Sequence, residues 1–172
     1  MPHIHSFPPV SRADARVLIL GSMPGRMSLQ QNQYYAHPQN AFWKIMGELV
    51  GAPPALPYPA RLDMLRQSGI ALWDVLASCE RASSLDSHIR RESANDFAAF
   101  FARHPQIGHV YFNGAKAEQS FRKFVQGEQV LPPLAFCRLP STSPAHAGMR
   151  YAEKLESWRV ILRHAYGQTA AG

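Results

Sequence analysis

The feature that most constrains the fold is the apolar run VLIL at residues 17–20, which stops at the turn GSMPG, residues 21–25. Four consecutive aliphatic residues predict a strand buried on both faces, as in the middle of a parallel sheet. The Gly/Pro turn follows where open α/β sheets bind ligands, beyond the carboxyl ends of their strands. The segment 17–43 is therefore predicted to organise the functional site.

Further apolar runs at 70–75, 109–113 and 134–139 predict three more strands, while the polar residues 76–91 predict a long loop. Apolar residues at helical spacing predict helices near 27–31, from Pro38 or Asn40 to Leu49, over 61–67, from a start at 93–96 to Pro105, over 115–125 and over 151–166. The alternation of strands and helices predicts a three-layer α/β/α sandwich with a central, mostly parallel four-stranded sheet.

A chain of 172 residues predicts a single domain over 1–172, with irregular ends at 1–14 and 167–172. Because crossovers between parallel strands are right-handed, the carboxyl ends of the strands meet at one rim. The loop 21–43, Asp74, Asn113 and the loop 140–147 are therefore expected to meet there.

The charge balance favours a polyanionic partner. Lys and Arg number 18 against 12 Asp and Glu, a net charge of +6, although a merely basic protein is an equal alternative. Cys79 and Cys137 have no CxxC spacing, which argues against a disulfide framework or a cysteine metal site and predicts a cytoplasmic protein. Neither a membrane span nor a signal peptide is expected from the hydropathy pattern.

The two long loops of the predicted rim lack carboxylates. Neither 15–47 nor 129–152 contains Asp or Glu, although both contain Lys or Arg, as suits a surface that faces phosphates. Catalysis by paired carboxylates is therefore excluded within these loops. His37 and His146 come without an obvious third ligand, so no metal site is predicted.

The remaining rim residues offer rings, hydroxyls and amides. Tyr34 and Tyr35 suit stacking on a flat ligand, or one packs in the core. The turn 21–25 can cradle a phosphate or a water, or is merely structural, and it is neither a P-loop nor a dinucleotide fingerprint. The hydroxyls of 141–143 suit phosphate contacts better than nucleophilic catalysis, because no GxSxG elbow is present.

Four motifs, GSMPG, YYAHPQNAFW, VYFNGAKA and LPSTSPAHA, together resemble the uracil-DNA glycosylase superfamily over roughly 17–158. The mismatch-specific branch is similar, with a GINPG turn and an LPNPSG loop. Met23, however, replaces its water-holding asparagine, and Ser141 replaces the histidine of the superfamily's HPSPLS loop. The combination of GSMPG with STSPAHA resembles the hypoxanthine-DNA glycosylase branch, where the asparagine after His-Pro-x is catalytic. The cysteine count excludes the iron–sulfur branches.

The resemblance implies a monomeric, monofunctional DNA glycosylase without cofactor or metal, which flips a deaminated base, preferably hypoxanthine, and hydrolyses its N-glycosidic bond during base excision repair. The catalytic water is assigned to Asn40 and the backbone near Ser22 and Met23. The implied contacts are Tyr35, Asn113, Phe42, Gly21 and Gly25 to the base, and Ser141, Thr142, Ser143, Ala145, His146, Lys44 and Arg138 to DNA. Ala145 falls at the position that wedges the duplex, but it is small, so Met149 or His146 is expected to do so.

Three alternatives stay open. One is excision of uracil or thymine from mismatches by the same chemistry. A second is a catalytically weak protein that binds damaged DNA, since Met23 and Ser141 replace both familiar catalytic residues. A third is a hydrolase of free nucleosides or an esterase using the serine loop, which the acid-free loops disfavour.

Overall fold

The computed structural model describes residues 3–81, 85, 88–146 and 148–165. The strands are β1 (His3–His5), β2 (Val17–Gly21), β3 (Ile70–Asp74), β4 (Leu76–Arg81), β5 (Ile89–Ala94), β6 (His109–Asn113) and β7 (Ala135–Leu139). The helices are α1 (Arg26–Gln31), α2 (Phe42–Val50), α3 (Tyr58–Gln67), α4 (Phe97–Arg103), α5 (Ala115–Phe124), α6 (Tyr151–Trp158) and a 3-10 helix at Arg159–Arg163.

The central sheet has the order β3-β2-β6-β7, and all of its strand pairs are parallel. Every residue of β2 is buried, because this strand has a neighbour on each side and helices on both faces. Gly21 pairs with Asp74, and Asn113 pairs with Leu139, so the carboxyl ends of the strands share one rim. The predicted four-stranded parallel sheet is confirmed.

Alternate side chains of β2 enter two separate cores, as the pleat of a strand requires. Leu18 and Leu20 pack with the phenylalanines of α4 and α5 on one face. Val17 and Ile19 pack with apolar side chains of α2, α3 and α6 on the other face. Helices therefore cover both faces of the sheet, which confirms the three-layer α/β/α sandwich.

A second sheet lies where the sequence predicts a loop and an irregular lead-in. The strands β1, β4 and β5 form an antiparallel sheet in the order β1-β4-β5, so the loop predicted over 76–91 is wrong. The strands β4 and β5, LASCER and IRRESA, carry few aliphatic residues, and shifts in register interrupt their pairing. Their local pattern therefore resembles a polar loop, and only the pairing of the three strands, including that of β4 with the distant β1, reveals them.

Two helix boundaries also differ from the predictions. The helix expected to start at 93–96 begins after Asp96, whose carboxylate accepts a hydrogen bond from the N–H of Ala99. The helix expected over 151–166 consists of α6 and a 3-10 helix ending at Arg163. The end predicted irregular at 167–172 lies outside the described residues. Within the described ranges, no helix is long and apolar enough to cross a membrane.

Candidate active site

A cavity of about 490 Å³ opens at the carboxyl rim of the central sheet. It is lined by residues 21–28, 34, 35, 37, 40, 74, 85, 113 and 141–146. The turn after β2, the ends of β3 and β6, and the loop 140–146 after β7 all contribute. The meeting of these segments at one rim, predicted from the strand order, is therefore observed.

Most of the predicted site residues line this cavity, but three lie elsewhere. Phe42 is fully buried behind Tyr35, with ring centroids 4.2 Å apart and an interplanar angle of 24°. Lys44 lines a neighbouring groove of about 650 Å³. Arg138 is exposed on β7, with Nη1 3.6 Å from Oε1 of Glu118. The predicted residues that do line the cavity are Gly21, Ser22, Met23, Gly25, Tyr35, Asn40, Asn113, Ser141, Thr142, Ser143, Ala145 and His146.

Tyr35 forms an aromatic wall of the cavity in a strained backbone conformation. Its φ of 55° lies in the left-handed region, which costs a bulky residue ~1–3 kcal/mol. The stacking on Phe42 supports one face of its ring. An aromatic ring held at such a cost beside a cavity suits stacking on a flat ligand.

The neighbours of Tyr35 maintain this strained conformation. The N–H of Tyr34 donates to the hydroxyl of Tyr58 at 2.9 Å, and the Tyr34 carbonyl accepts from Nε1 of Trp43 at 2.8 Å. On the other side, the N–H of Ala36 donates to Oγ of Ser28 at 3.1 Å. Tyr34 itself is buried, and burial raises the pKa of its hydroxyl, with the charge of Asp74 as a smaller cause.

Asn40 lies where the loop enters α2. Its Oδ1 accepts a hydrogen bond from the N–H of Phe42 at 2.9 Å and so satisfies one free donor at the start of the helix. Among the residues that the structure describes, its Nδ2 group makes no hydrogen bond. The side chain is thus oriented by the helix, and its two N–H donors stay available to a water or a substrate at the cavity.

The turn 21–25 is held by hydrogen bonds to the backbone and to one buried arginine. The carbonyls of Gly21 and Ser22 accept from the N–H groups of Val75 and Leu76, at 2.8 and 3.2 Å. The Pro24 carbonyl accepts from Nη2 of Arg81, which is only 2% exposed. The second sheet therefore supports this wall of the cavity through β4, a contribution that the sequence did not predict.

Asp74 is a site residue that the sequence predictions placed at the rim without a role. It lies at the end of β3, is 3% exposed and is the only carboxylate among the described residues lining the cavity. A Cβ at Gly21 would lie 2.6 Å from Oδ1 of Asp74 and 2.8 Å from the hydroxyl of Tyr35. Glycine at position 21 thus leaves room for both groups. In the sequence, the available signal for a site residue was the position of Asp74 near the end of the apolar run 70–75.

The loop 140–146 is tied to its neighbours through Thr142, which is 1% exposed. The Thr142 N–H donates to Oδ1 of Asn113, and Nδ2 of Asn113 donates to Oγ1 of Thr142, both at 2.9 Å. The Thr142 carbonyl accepts from the N–H of Ala41 at 3.0 Å. Asn113 therefore positions the loop, while its amide keeps one N–H and one lone pair for a further contact.

The described residues include no group of three or more His, Cys, Asp or Glu side chains that could hold a metal ion. The cavity instead combines an aromatic wall, an oriented amide, one buried carboxylate and a rim of hydroxyl groups. Such a set can stack on a flat ring, bond its polar edge and hold a water. The fold and the site thus define an α/β enzyme domain with a rim pocket for a planar, polar group.

The sequence model of the uracil DNA glycosylase superfamily matches residues 8–163, nearly the whole chain. The chain belongs to the uracil DNA glycosylase superfamily. Its class of activity is accordingly that of a DNA glycosylase, an enzyme of DNA repair. The resemblance carried by the four sequence motifs is confirmed.

Two similar proteins from methanogens carry the name hypoxanthine DNA glycosylase. The one from Methanosarcina acetivorans is 34% identical over 163 residues, which cover 92% of this chain and 97% of that protein. The one from Methanosarcina barkeri is 38% identical over 112 residues, 64% of this chain and 71% of that protein.

The fold is also similar to a solution NMR structure from Methanosarcina acetivorans, described as a candidate uracil DNA glycosylase. The TM-score is 0.75 at 32% sequence identity, and the match covers 95% of this chain and all of the other. The two proteins share one architecture over nearly their whole lengths.

Proposed function

We propose that this protein removes hypoxanthine from DNA by hydrolysing the N-glycosidic bond of a flipped deoxyinosine. The observation that carries the proposal is that the Tyr35 ring, the oriented Asn40 amide and the Asp74 carboxylate all line one cavity of about 490 Å³. The names of the two methanogen relatives agree with this substrate. The enzyme is proposed to act as a monomer, without a cofactor.

Recognition of the base rests on the carbonyl and the adjacent ring N–H that hypoxanthine presents. A carboxyl oxygen accepts hydrogen bonds, so Asp74 suits the ring N–H of a deaminated base, whereas adenine has an acceptor at that position. The free N–H of Asn113 suits the carbonyl on the same edge. Tyr35 stacks on the base, and Phe42 supports Tyr35 from behind.

The hydrolysis depends on a water held by Asn40. Its Nδ2 donates to the water, and the backbone near Ser22 and Met23 supplies the remaining contacts. An amide is a poor base, so the glycosidic bond breaks largely before the water attacks, through an oxocarbenium-like transition state. Hydrogen bonds from the pocket stabilise the departing base as its negative charge develops.

The DNA contacts are proposed at the mouth of the cavity, in the neighbouring groove lined by Lys44, and at Arg138 on β7. The hydroxyls of Ser141 and Ser143 and the cations of Lys44 and Arg138 suit phosphate groups. The net charge of +6 favours the same partner. Flipping the nucleotide costs a few kcal/mol, and less where the base is mispaired.

The test is excision from oligonucleotides that carry deoxyinosine, deoxyuridine or deoxyxanthosine, followed by alkaline cleavage of abasic sites. We expect strand breaks at deoxyinosine, in duplexes and in single strands. Faster cleavage at deoxyuridine would instead favour the uracil/thymine alternative. The NMR relative is described as a candidate uracil DNA glycosylase, which agrees with that alternative. Binding of the damaged duplexes without any strand break would favour a damage-binding protein and contradict the proposal.

A further inference from the structure

Helix α6 holds both ends of the loop 140–146 from outside the cavity. Nε1 of Trp158 donates to the Pro140 carbonyl at 2.9 Å, and Nζ of Lys154 donates to the His146 carbonyl at 2.7 Å. The two donors are four residues apart and so lie on the same face of the helix. Neither residue lines the catalytic cavity.

The burial of Lys154 is costly in itself. The residue is 6% exposed, and burial lowers the pKa of its ammonium group. Lysine is almost never fully buried unless its charge is paired or hydrogen-bonded, and an apolar side chain would avoid the cost. The hydrogen bond to the loop is therefore the feature that a lysine supplies at this position.

The loop divides into two halves with separate anchors. The first half, residues 140–143, is held at Thr142 by Asn113 and Ala41. The tip, residues 144–146, is exposed and folds back on Ser143, whose Oγ and carbonyl accept from the N–H groups of Ala145 and His146. Among the described residues, Lys154 is the anchor of this tip outside the loop.

We infer that Lys154 is a positioning residue that holds the tip 144–146 against the duplex while the flipped nucleotide occupies the cavity. This inference rests on the proposed function. The tip lies at the mouth of the cavity, so a duplex that delivers a base into the cavity must lie against it. A single strand has no paired stack to open, so its base reaches the cavity without this support.

The variant Lys154→Met tests the inference, because methionine is unbranched and apolar and can replace the buried lysine without the donor. We expect kcat/KM for deoxyinosine to fall about tenfold in duplex DNA and to stay within about twofold in a single strand. Lys154→Arg keeps a donor and should restore much of the duplex activity. Lys123→Met, which removes one charge from the outside of α5, is the matched control.

A second readout does not depend on excision. A 2-aminopurine base beside the deoxyinosine reports opening of the stack by its fluorescence, and we expect the wild-type increase to be lost in Lys154→Met. Equal losses on duplex and single strand, or an unchanged fluorescence response, would overturn the inference. If the wild-type protein opens the stack without excising hypoxanthine, the proposed function fails. The role of Lys154 in opening the stack then still stands, provided that Lys154→Met loses the fluorescence increase.

Discussion

Asn40 has a structural task at the start of α2 and, in the proposed function, a chemical one. Its Oδ1 accepts a hydrogen bond from the Phe42 N–H at the start of α2, and this bond leaves the Nδ2 group of the amide available to the cavity. Rotation of the amide would sacrifice that bond, so the helix orients the donor before any substrate binds. The strained backbone of Tyr35 is a second case of a residue whose conformation the surrounding contacts impose.

Substitution of Asn40 can separate the two tasks. Asn40→Asp keeps an acceptor for the Phe42 N–H but removes the donor, so we expect stability close to wild type and a loss of ~100-fold or more in single-turnover excision. Asn40→Ala removes both and should additionally cost ~1 kcal/mol in the free energy of unfolding. Binding of deoxyinosine DNA should persist in both variants. Full excision activity in either would contradict the assigned role.

Gly21 is predicted to tolerate no side chain. In Gly21→Ala the new Cβ would lie 2.6 Å from Oδ1 of Asp74 and 2.8 Å from the Tyr35 hydroxyl, so one of them must move. We expect a loss of ~1–3 kcal/mol in stability and a larger relative loss of excision. Gly108→Ala, where a Cβ meets nothing within 4 Å, is the control and should change stability by less than ~1 kcal/mol. Denaturant titration and single-turnover kinetics measure the two effects, and wild-type kinetics in Gly21→Ala would refute the prediction.

At the scale of elements, the site is made of segments that are far apart in the sequence and joined by a few polar contacts. The loop after β7 is tied to β6 by the reciprocal bonds of Asn113 and Thr142, and to the start of α2 by the N–H of Ala41. The second sheet joins the turn after β2 through Arg81. The two walls of the cavity are thus anchored by different parts of the fold.

The tie between β6 and the loop can be tested with Thr142→Val. This change removes the acceptor of Asn113 Nδ2 at nearly constant shape, so we expect a cost of ~1 kcal/mol in stability. Excision should fall to a similar extent on duplex and single-stranded deoxyinosine, because Thr142 holds the first half of the loop, residues 140–143, and not the tip. Thr142→Ser keeps the hydroxyl and should behave like wild type in thermal unfolding and kinetics. A defect confined to duplex DNA would show that Thr142 serves the tip instead.

At the scale of the whole molecule, Lys and Arg outnumber Asp and Glu, and the two long loops at the rim contain Lys or Arg but no carboxylate. Among the residues that the structure describes, the one acid that lines the cavity is Asp74 of β3, which is 3% exposed and so does not present a charge to the outside. In the proposed function, phosphates near the mouth would therefore meet no acid on either loop.

This charge distribution predicts a steep dependence of DNA binding on salt. Between 50 and 200 mM salt we expect the affinity of Asn40→Ala for a deoxyinosine duplex to fall by about tenfold or more. Binding of the protein releases cations from the DNA phosphates, and this release is less favourable at higher salt. Fluorescence anisotropy of a labelled duplex measures the slope. A flat salt profile, together with cleavage of free deoxyinosine nucleoside, would support a nucleoside hydrolase instead.

The sequence by itself determined the central sheet, its layers and the location of the site. Runs of aliphatic residues and helical spacing are local signals. The strands of a parallel sheet are buried on both faces, so their sequences are continuously apolar and easy to recognise. The four motifs around Gly21, Asn40, Asn113 and Thr142 likewise led to the superfamily, because together they resemble its motifs.

Only the tertiary structure decided the second sheet and the anchoring roles of Asn113 and Lys154. The polar strands β4 and β5 have no hydrophobic period that distinguishes them from a loop, register shifts interrupt their own pairing, and β4 also pairs with β1, which is far away along the chain. Asn113 and Thr142 are 29 residues apart, so their bonds depend on how the strands are brought together. A hydrogen bond between distant residues has no local signature, and for this reason the positions of polar groups in the site required the folded chain.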